Sequence, residues 1–310
     1  FTKMTKVLIA TYKPFAAVAV QGIREIMEAA GFELALLEKY TEKAQLLDAV
    51  KDVDAIIIRS DIIDAEVLEA AKNLKIVVRA GAGYDNVDLD AATAHNVCVM
   101  NTPGQNANAV AELVFGMLVY SIRNHFNGTS GTELLTKKLG ILAYGNVGRN
   151  VARIAKGFGM KVYAYDAFCP AAIIENDGVK ALGSTEELFE KCQVVSLHIP
   201  ATPETKNSIN FDLMSKMPKG ATIVNTARKE VVDEAGLVKM FEERPDFVYL
   251  TDIKPSNDAE LAEKYGARYF GTPKKMGAQT AEANINAGIA AAKQIVEFIA
   301  NGVRKYQVNK

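Results

Sequence analysis

Hydrophobic and polar positions follow two alternating patterns along this chain of 310 residues. Short continuous apolar runs, such as Val7-Leu-Ile-Ala10, are separated by segments in which apolar residues recur with helical spacing. Continuous apolar runs predict buried parallel strands, because helices cover both faces of a parallel sheet. The pattern therefore predicts an α/β protein built from doubly wound parallel sheets.

The first part of the chain predicts one such sheet. Its apolar runs place strands at 6–11, 32–37, 55–59, 76–79 and 97–101. Helical spacing lies between them, as in 17–30, and Gly31 ends that helix. We therefore expect a flavodoxin-like layer sandwich in residues 1–100.

A second α/β series begins at Leu139. Its apolar runs predict six strands, at 139–144, 161–166, 194–199, 221–226, 247–252 and 268–273. Helical segments lie between these strands, the first of them from Arg149 to Phe158. This series predicts a second doubly wound domain.

The last helical segment, 280–300, has an apolar face that is expected to pack back on the first sheet. The chain would then cross between domains near 101–108 and 277–284, with a cleft between the domains. The expected division is a substrate-binding domain of 1–100 with 283–310, and an inserted nucleotide-binding domain of 101–282.

A candidate dinucleotide turn lies at Gly145-Asn-Val-Gly148, between an apolar strand and a helix. Backbone N–H groups of Gly145, Asn146 and Val147 at the helix N-terminus would face a pyrophosphate. Asp166 follows Gly145 by 21 residues, where a carboxylate binds ribose hydroxyls and repels a 2′-phosphate, which favours NAD over NADP. Ala143 replaces the first glycine of the motif, and its methyl group can be tolerated if the residue keeps a negative φ.

Composition narrows the function classes. Hydrophobic residues make up 49% of the chain and the net charge is −1, which argues against nucleic acid and anionic membranes as partners. Three cysteines without CxxC spacing suggest no disulfide framework and no metal site, and are consistent with a reducing, cytoplasmic location. The start of the chain lacks the apolar segment of a signal peptide.

Polar residues at the ends of predicted strands are the candidates for chemistry, because ligands bind at the carboxyl ends of parallel strands. Arg228 follows one strand, and its planar fork suits a carboxylate. Arg59 and Arg79 end two strands of the other sheet and suit a phosphate, while the run 80–83 offers N–H donors to an anion. The alternative for each arginine is a surface ion pair.

Six short motifs follow one another along the chain. In order, these are Arg79-Ala-Gly-Ala-Gly-Tyr-Asp-Asn86, Asn101-Thr-Pro-Gly104, Val110-Ala-Glu112, the dinucleotide turn, His198-Ile-Pro-Ala-Thr-Pro-Glu-Thr205 and Asn225-Thr-Ala-Arg228. The chain resembles the D-isomer-specific 2-hydroxyacid dehydrogenase family in this succession. The resemblance implies an NAD domain inserted into a substrate domain, NAD as cofactor, a small-molecule substrate and a homodimer through the NAD domains.

The resemblance also implies roles for individual residues. Arg228 would bind the substrate α-carboxylate and stabilise the ketone, and the N–H groups of Ala80, Gly81, Ala82 and Gly83 would share that carboxylate. Arg59 and Arg79 would hold a substrate phosphate. Asp252 would contact the nicotinamide carboxamide of the cofactor, and His198, Pro200 and Thr205 would line its adenosine and ribose. Thr226 and Ala227 are further expected cofactor contacts. For His198 the alternative is a satisfied histidine at a strand end.

One departure concerns the acid/base group, for which the family uses a histidine oriented by a glutamate. The three histidines of this chain do not extend beyond His198. Lys274 or Lys275 occupies the matching place, and Asn257 and Asp258 stand where the glutamate is expected. A lysine could serve if burial or nearby cations lower its pKa from about 10.4. The alternative is that both lysines only hold phosphate or face solvent.

These expectations converge on NAD-dependent oxidation of D-3-phosphoglycerate to 3-phosphohydroxypyruvate, the first step of serine synthesis. The phosphate-binding arginines motivate this choice of substrate. The alternatives are a glyoxylate/hydroxypyruvate reductase or another D-2-hydroxyacid dehydrogenase. A different class, an NAD(H)-sensing binding protein like the corepressor relatives of the family, is motivated by the missing histidine.

Overall fold

The computed structural model describes residues 3–310, so the first two residues of the expected segment 1–100 lie outside the described residues. The chain divides into two compact units. Unit 1 contains the chain up to Asn106 together with Gln279–Lys310, and unit 2 contains Ala107–Ala278.

The strands are β1 (Lys6–Thr11), β2 (Glu33–Glu38), β3 (Ala55–Ile58), β4 (Ile76–Arg79), β5 (Cys98–Asn101), β6 (Lys138–Leu142), β7 (Lys161–Tyr165), β8 (Lys180–Ala181), β9 (Val194–Leu197), β10 (Thr222–Asn225), β11 (Val248–Thr251) and β12 (Tyr269–Gly271). The helices are α1 (Ala17–Ala29), α2 (Lys43–Ala49), α3 (Ala65–Ala70), α4 (Leu89–Ala94), α5 (Ala107–Ile122), α6 (Asn146–Gly157), α7 (Ala171–Asn176), α8 (Thr185–Lys191), α9 (Phe211–Met214), α10 (Glu234–Glu243), α11 (Asp258–Tyr265) and α12 (Ala281–Asn301). Two short 3₁₀ segments lie at Asn124–Phe126 and Lys229–Val231.

Within the described residues, unit 1 forms a five-stranded sheet in the order β2-β1-β3-β4-β5. All its strand pairs are parallel, and the order is that of a flavodoxin-like sheet. Helix α12 packs on α1 in this unit. Their approach is close, because a Cβ on Gly22 would lie 2.4 Å from Ile289 Cδ1.

Unit 2, over its described residues, forms a seven-stranded parallel sheet in the order β12-β11-β10-β9-β6-β7-β8. The prediction of two doubly wound parallel-sheet domains is confirmed. The strand count of the second domain was wrong, because β8 spans only Lys180–Ala181 and is too short to give a hydrophobic pattern. Helix α6 also begins at Asn146, ahead of the expected Arg149.

The linking segments 101–106 and 279–282, which the sequence pattern assigns to the inserted domain, fall in unit 1. Thr102 ties the first of them to unit 1, because its N–H donates to the Gly81 carbonyl at 2.9 Å and its Oγ1 accepts from Gly81 N at 2.7 Å. Thr280 ties the second, since its Oγ1 accepts from Ala283 N and so caps α12.

Helix α5 lies in the core of unit 2, where Ala111, Val114 and Leu118 are fully buried. None of the helices in residues 3–310 has the length and apolar character needed to cross a membrane. In the same residues, no three His, Cys, Asp or Glu side chains come together as a metal site.

Candidate functional site

The dinucleotide turn is built by close packing of α6 on β6. Gly145 precedes α6 as its N-cap, so the first N–H groups of the helix, including those of Asn146 and Val147, have no intrahelical partner. A Cβ on Gly148 would lie 2.5 Å from the Ala143 carbonyl oxygen. Only glycine permits this approach, which leaves an anion-binding helix N-terminus directly after the strand.

Ala143 departs from expectation. Its φ is +76°, so the condition of a negative φ is not met. A residue with a Cβ in the left-handed region costs about 1–2 kcal/mol. The turn therefore keeps the backbone conformation of the glycine motif although the glycine itself is missing.

Ala143→Gly is expected to raise the free energy of unfolding by about 1 kcal/mol, because relief of left-handed strain outweighs the added flexibility of the unfolded chain. Urea denaturation measures the change. Ala167→Gly, at an exposed neighbouring position whose φ is not positive, is the control and should be slightly destabilising. A loss of stability in both variants would show that Ala143 is unstrained.

A cavity of about 780 Å³ opens beside the turn in unit 2. Five of the predicted cofactor residues line it, namely Gly145, Asp166, His198, Pro200 and Thr205. Its size is in the range of small-molecule and cofactor sites. The other five predicted contacts do not line this cavity: Asn146 and Val147 begin α6, and Thr226, Ala227 and Asp252 follow β10 and β11.

Asp166 joins two turns at the rim of the cavity. Its Oδ2 accepts from Tyr144 N at 2.6 Å, and its Oδ1 accepts from Phe168 N at 2.7 Å and Cys169 N at 3.0 Å. Burial alone would raise the pKa of Asp166, but these backbone donors outweigh it and hold the pKa below its ordinary value. The carboxylate is thus ionised at neutral pH, as repulsion of a 2′-phosphate requires.

His198 is a neutral histidine. Burial lowers its pKa to about 4. The ring Nε2 pairs with Ser196 Oγ at 2.7 Å, and the backbone N–H donates to the Leu142 carbonyl. One ring nitrogen therefore has a partner within the strand, and the residue also lines the cavity. At neutral pH it carries no proton to exchange as an imidazolium.

Thr205 closes the segment that follows His198. Its Oγ1 donates to the Pro200 carbonyl at 2.6 Å and accepts from Thr202 N at 2.8 Å. The hydroxyl is therefore already occupied in shaping the wall of the cavity.

Asn225 shapes the turn that presents Arg228. Its Oδ1 accepts from Ala227 N at 3.0 Å, and its Nδ2 donates to the Arg228 carbonyl at 3.0 Å. Arg228 is exposed, and its guanidinium forms no ion pair within residues 3–310. Its Nη1 donates to the Ala227 carbonyl, which leaves most of the donor fork open to an anion.

Asp252 anchors the loop that carries both lysines. Its Oδ1 accepts from Thr272 Oγ1 at 2.8 Å and from Met276 N at 2.7 Å, and its Oδ2 accepts from Gly277 N at 2.8 Å. The side chain is 2% exposed. Three donors already use this carboxylate, so the position predicted to contact the carboxamide also holds the 272–277 loop in place.

Lys274 and Lys275 are both exposed in that loop.

Neither of the two residues that stand where the glutamate is expected, Asn257 and Asp258, provides a free carboxylate. Asp258 accepts from Tyr269 Oη and pairs with Lys254 Nζ at 3.1 Å. Asn257 precedes α11, and its Oδ1 is buried without a hydrogen-bond partner. Of the two residues that stand where the glutamate is expected, Asn257 thus offers a neutral, unsatisfied acceptor, and Asp258 a carboxylate that already has partners.

The two arginines of unit 1, Arg59 and Arg79, are the candidates for an anion site. Arg79 Nε is buried without a partner, and its Nη1 donates to the Ala80 carbonyl. Arg59 donates to the carbonyls of Lys13 and Pro14 and to Asn284 Oδ1. Burial lowers the pKa of both, and the Arg59 charge lowers that of Arg79 further.

Neither arginine has a carboxylate within ion-pair distance in the described chain, which contradicts the surface ion-pair alternative. The Asp61 carboxylate acts on both arginines and that of Asp85 on Arg79, but neither forms an ion pair with them. Two half-buried cations that repel each other and lack a direct ion-pair partner favour a bound anion.

The structure changes the expectation for the backbone N–H groups of residues 80–83. Ala80 N donates to the Ile58 carbonyl and Gly81 N to Thr102 Oγ1, so neither is available to a carboxylate. Ala82 and Gly83 have N–H groups that no acceptor among residues 3–310 occupies. Gly81 has a different task, because its φ is +150° and a Cβ there would lie 1.4 Å from Arg79 Nη1. It makes room for the arginine.

The sequence reasoning missed the residues that organise this anion site. Buried Asp61 accepts from Tyr12 N, Arg59 N and Tyr40 Oη. Asn86 Nδ2 donates to the carbonyls of Arg59 and Asp61. The only available signal was that Asp61 lies two positions beyond Arg59 at a strand end.

Some buried polar atoms without a hydrogen-bond partner belong to the candidate site residues described above. Five buried side-chain polar atoms lack a partner in the part of the chain described, namely Thr11 Oγ1, Arg79 Nε, Thr226 Oγ1, Asn257 Oδ1 and Gln294 Oε1. The first three lie at or just beyond the carboxyl ends of parallel strands, and Asn257 lies at the start of α11. Unsatisfied buried groups are rare in native proteins, so this concentration supports ligands at these strand ends. The open turn, the cavity and Thr226 together fit a dinucleotide.

Comparison with known proteins extends over both units. The profile of the D-isomer specific 2-hydroxyacid dehydrogenase NAD binding domain matches residues 118–265. The chain is 36% identical over 284 residues to the hydroxypyruvate reductase of Thermotoga maritima, covering 85% of this chain and 90% of that protein.

It is 33% identical over 284 residues to the D-3-phosphoglycerate dehydrogenase of Methanocaldococcus jannaschii, covering 86% of this chain. Only 54% of that protein is matched, so the chain spans about half its length. The crystal structure of NAD+-bound 3-phosphoglycerate dehydrogenase from Entamoeba histolytica is 48% identical, with a TM-score of 0.86 over 99% of both chains.

Proposed function

Since this chain belongs to the D-isomer-specific 2-hydroxyacid dehydrogenase family, we propose that it oxidises D-3-phosphoglycerate to 3-phosphohydroxypyruvate, the first step of serine synthesis. Residues 118–265 are the NAD-binding domain of the family, and NAD is the cofactor. The observation that carries the choice of substrate is the pair of half-buried arginines, Arg59 and Arg79, without a carboxylate partner among residues 3–310.

Each group of this chain would have a defined task in that reaction. NAD, when bound, accepts the hydride from C2 of the substrate. Arg228 would hold the α-carboxylate through two parallel hydrogen bonds and stabilise the ketone oxygen as it forms. Lys274 or Lys275 would accept the hydroxyl proton, and Asp252 would hold the loop of both lysines.

A second candidate substrate is hydroxypyruvate or glyoxylate, reduced with NADH. The similarity to the Thermotoga maritima hydroxypyruvate reductase, which covers 90% of that protein, favours it. This alternative needs Arg228 and a lysine but has no task for the Arg59 and Arg79 pair.

A substrate screen distinguishes these candidates. With NAD at alkaline pH, 3-phosphoglycerate is expected to give NADH formation with a higher kcat/KM than glycerate. Arg79→Ala should raise KM about 10- to 100-fold for 3-phosphoglycerate and less for glycerate, because a charge-assisted hydrogen bond to phosphate is lost. Equal losses with both substrates, or turnover of glycerate alone, would contradict the phosphorylated substrate.

The homodimer through the NAD-binding domain remains a prediction of the family resemblance, and the cytoplasmic location remains a prediction from the three cysteines without CxxC spacing.

A further inference from the structure

Phe168 is the most exposed large apolar side chain of residues 3–310, at 94% of its surface. Phe126 is next among the phenylalanines described, at 65%. A single exposed ring is not unusual by itself. Its position makes it informative, because Phe168 lies on the rim of the cavity beside the dinucleotide turn.

The backbone under this ring is fixed. Phe168 N donates to Asp166 Oδ1 at 2.7 Å, and the same carboxylate accepts from Tyr144 N at 2.6 Å. Asp166 therefore links the turn that carries Phe168 to the turn that precedes α6. An exposed ring on an ordered backbone, rather than on a loose loop, is held ready for a contact that a ligand supplies.

The cavity that Phe168 borders offers apolar surface to a flat aromatic ligand. Its apolar lining includes Leu142, Ile199, Pro200 and Leu213. A dinucleotide whose pyrophosphate binds at the N-terminus of α6 and whose ribose meets Asp166 would place its base beyond Asp166, on this side of the cavity. Phe168 is the aromatic residue on that rim with almost its whole ring available.

We propose that Phe168 stacks on the adenine ring of NAD and closes the adenosine end of the cavity. The inference rests on the proposed cofactor site and adds a residue that determines cofactor affinity. Stacking needs only the π-face of the base, so the contribution should appear with any ligand that carries adenine and be absent with nicotinamide mononucleotide.

The first test measures dissociation constants of AMP, NADH and reduced nicotinamide mononucleotide. Phe168→Ala is expected to weaken AMP and NADH by the same factor, about 5- to 100-fold, and to leave the mononucleotide unchanged. Phe126→Ala, which removes an exposed ring of the same unit outside the cavity, is the matched control and should change none of them. Unchanged AMP binding in Phe168→Ala would overturn the proposal.

A second test uses the absence of tryptophan from the sequence. In Phe168→Trp the whole indole fluorescence arises from one position, and AMP is expected to quench it while binding with wild-type affinity or better. The indole of Phe126→Trp should not respond. AMP binding without quenching in Phe168→Trp would also overturn the stacking.

The two proposals fail in different ways. If the wild type binds neither AMP nor NADH, the cofactor site itself is misplaced. If the wild type binds NADH and both Phe168 variants behave like it, the cofactor site stands and the stacking role is wrong.

Discussion

Replacing the acid/base lysine by alanine is expected to lower kcat by at least about 100-fold, the scale of general acid–base catalysis. Lys274→Ala and Lys275→Ala are compared, and the larger loss identifies the acid/base group. Asp252 holds the loop by accepting hydrogen bonds from the N–H groups of Met276 and Gly277, and neither substitution changes these contacts. Steady-state kinetics of both variants beside the wild type measure the effect.

The pH profile distinguishes lysine from histidine catalysis. Burial lowers the pKa of His198 to about 4, and a hydrogen bond to Glu69 raises that of the surface residue His95. A deprotonated base is needed for oxidation, so the rate should rise toward alkaline pH over a limb above the value of about 6.5 that an unperturbed histidine has. A limb near 6.5 would count against lysine.

Lys219→Ala provides the control for a lost charge, because Lys219 is an exposed lysine of the same unit outside the 272–277 loop. It should retain wild-type kcat. If both loop variants retain kcat as well, neither lysine is the acid/base group, and their alternative role in holding phosphate or facing solvent is supported.

Arg228→Ala should lower kcat by about 100- to 1,000-fold, the range reported for loss of one preorganised donor to a developing negative charge. KM should rise as well, since the α-carboxylate loses its bidentate partner. Arg228→Lys should recover little of the loss, because an ammonium cannot reproduce the planar fork. Separate measurement of kcat and KM with 3-phosphoglycerate tests both expectations.

Lys229→Ala is the neighbouring control, since it removes an exposed cation from the adjoining 3₁₀ segment without touching the fork. It should change kcat and KM little. Arg228→Lys with near wild-type kcat would show that Arg228 supplies only a positive charge, and bidentate binding of the carboxylate would be wrong.

Asn225 illustrates why the site was only partly predictable. The sequence identified the strand end and Arg228, because an apolar run followed by polar residues is a local signal. That Asn225 bonds to both Ala227 and Arg228 depends on the conformation of the turn. The same limit applies to Gly81, whose N–H was expected to face an anion and instead meets Thr102, 21 positions along the chain.

The sequence by itself determined the two parallel sheets, the dinucleotide turn and the candidate cations. Each rests on short-range order, namely uninterrupted apolar runs, the spacing of Gly145 to Asp166 and charged residues at strand ends. These signals can be recognised in the sequence because burial and turn geometry constrain residues that are adjacent in the chain.

Only the tertiary structure decided which of these groups are free to act. Asp252 holds the 272–277 loop and Asp61 organises the site around Arg59, through hydrogen bonds between residues far apart in sequence. The φ of Ala143 likewise follows from the approach of α6 at Gly148, not from alanine itself. These outcomes depend on which strand ends meet, and strand order is set by the packing of the whole sheet rather than by local periodicity.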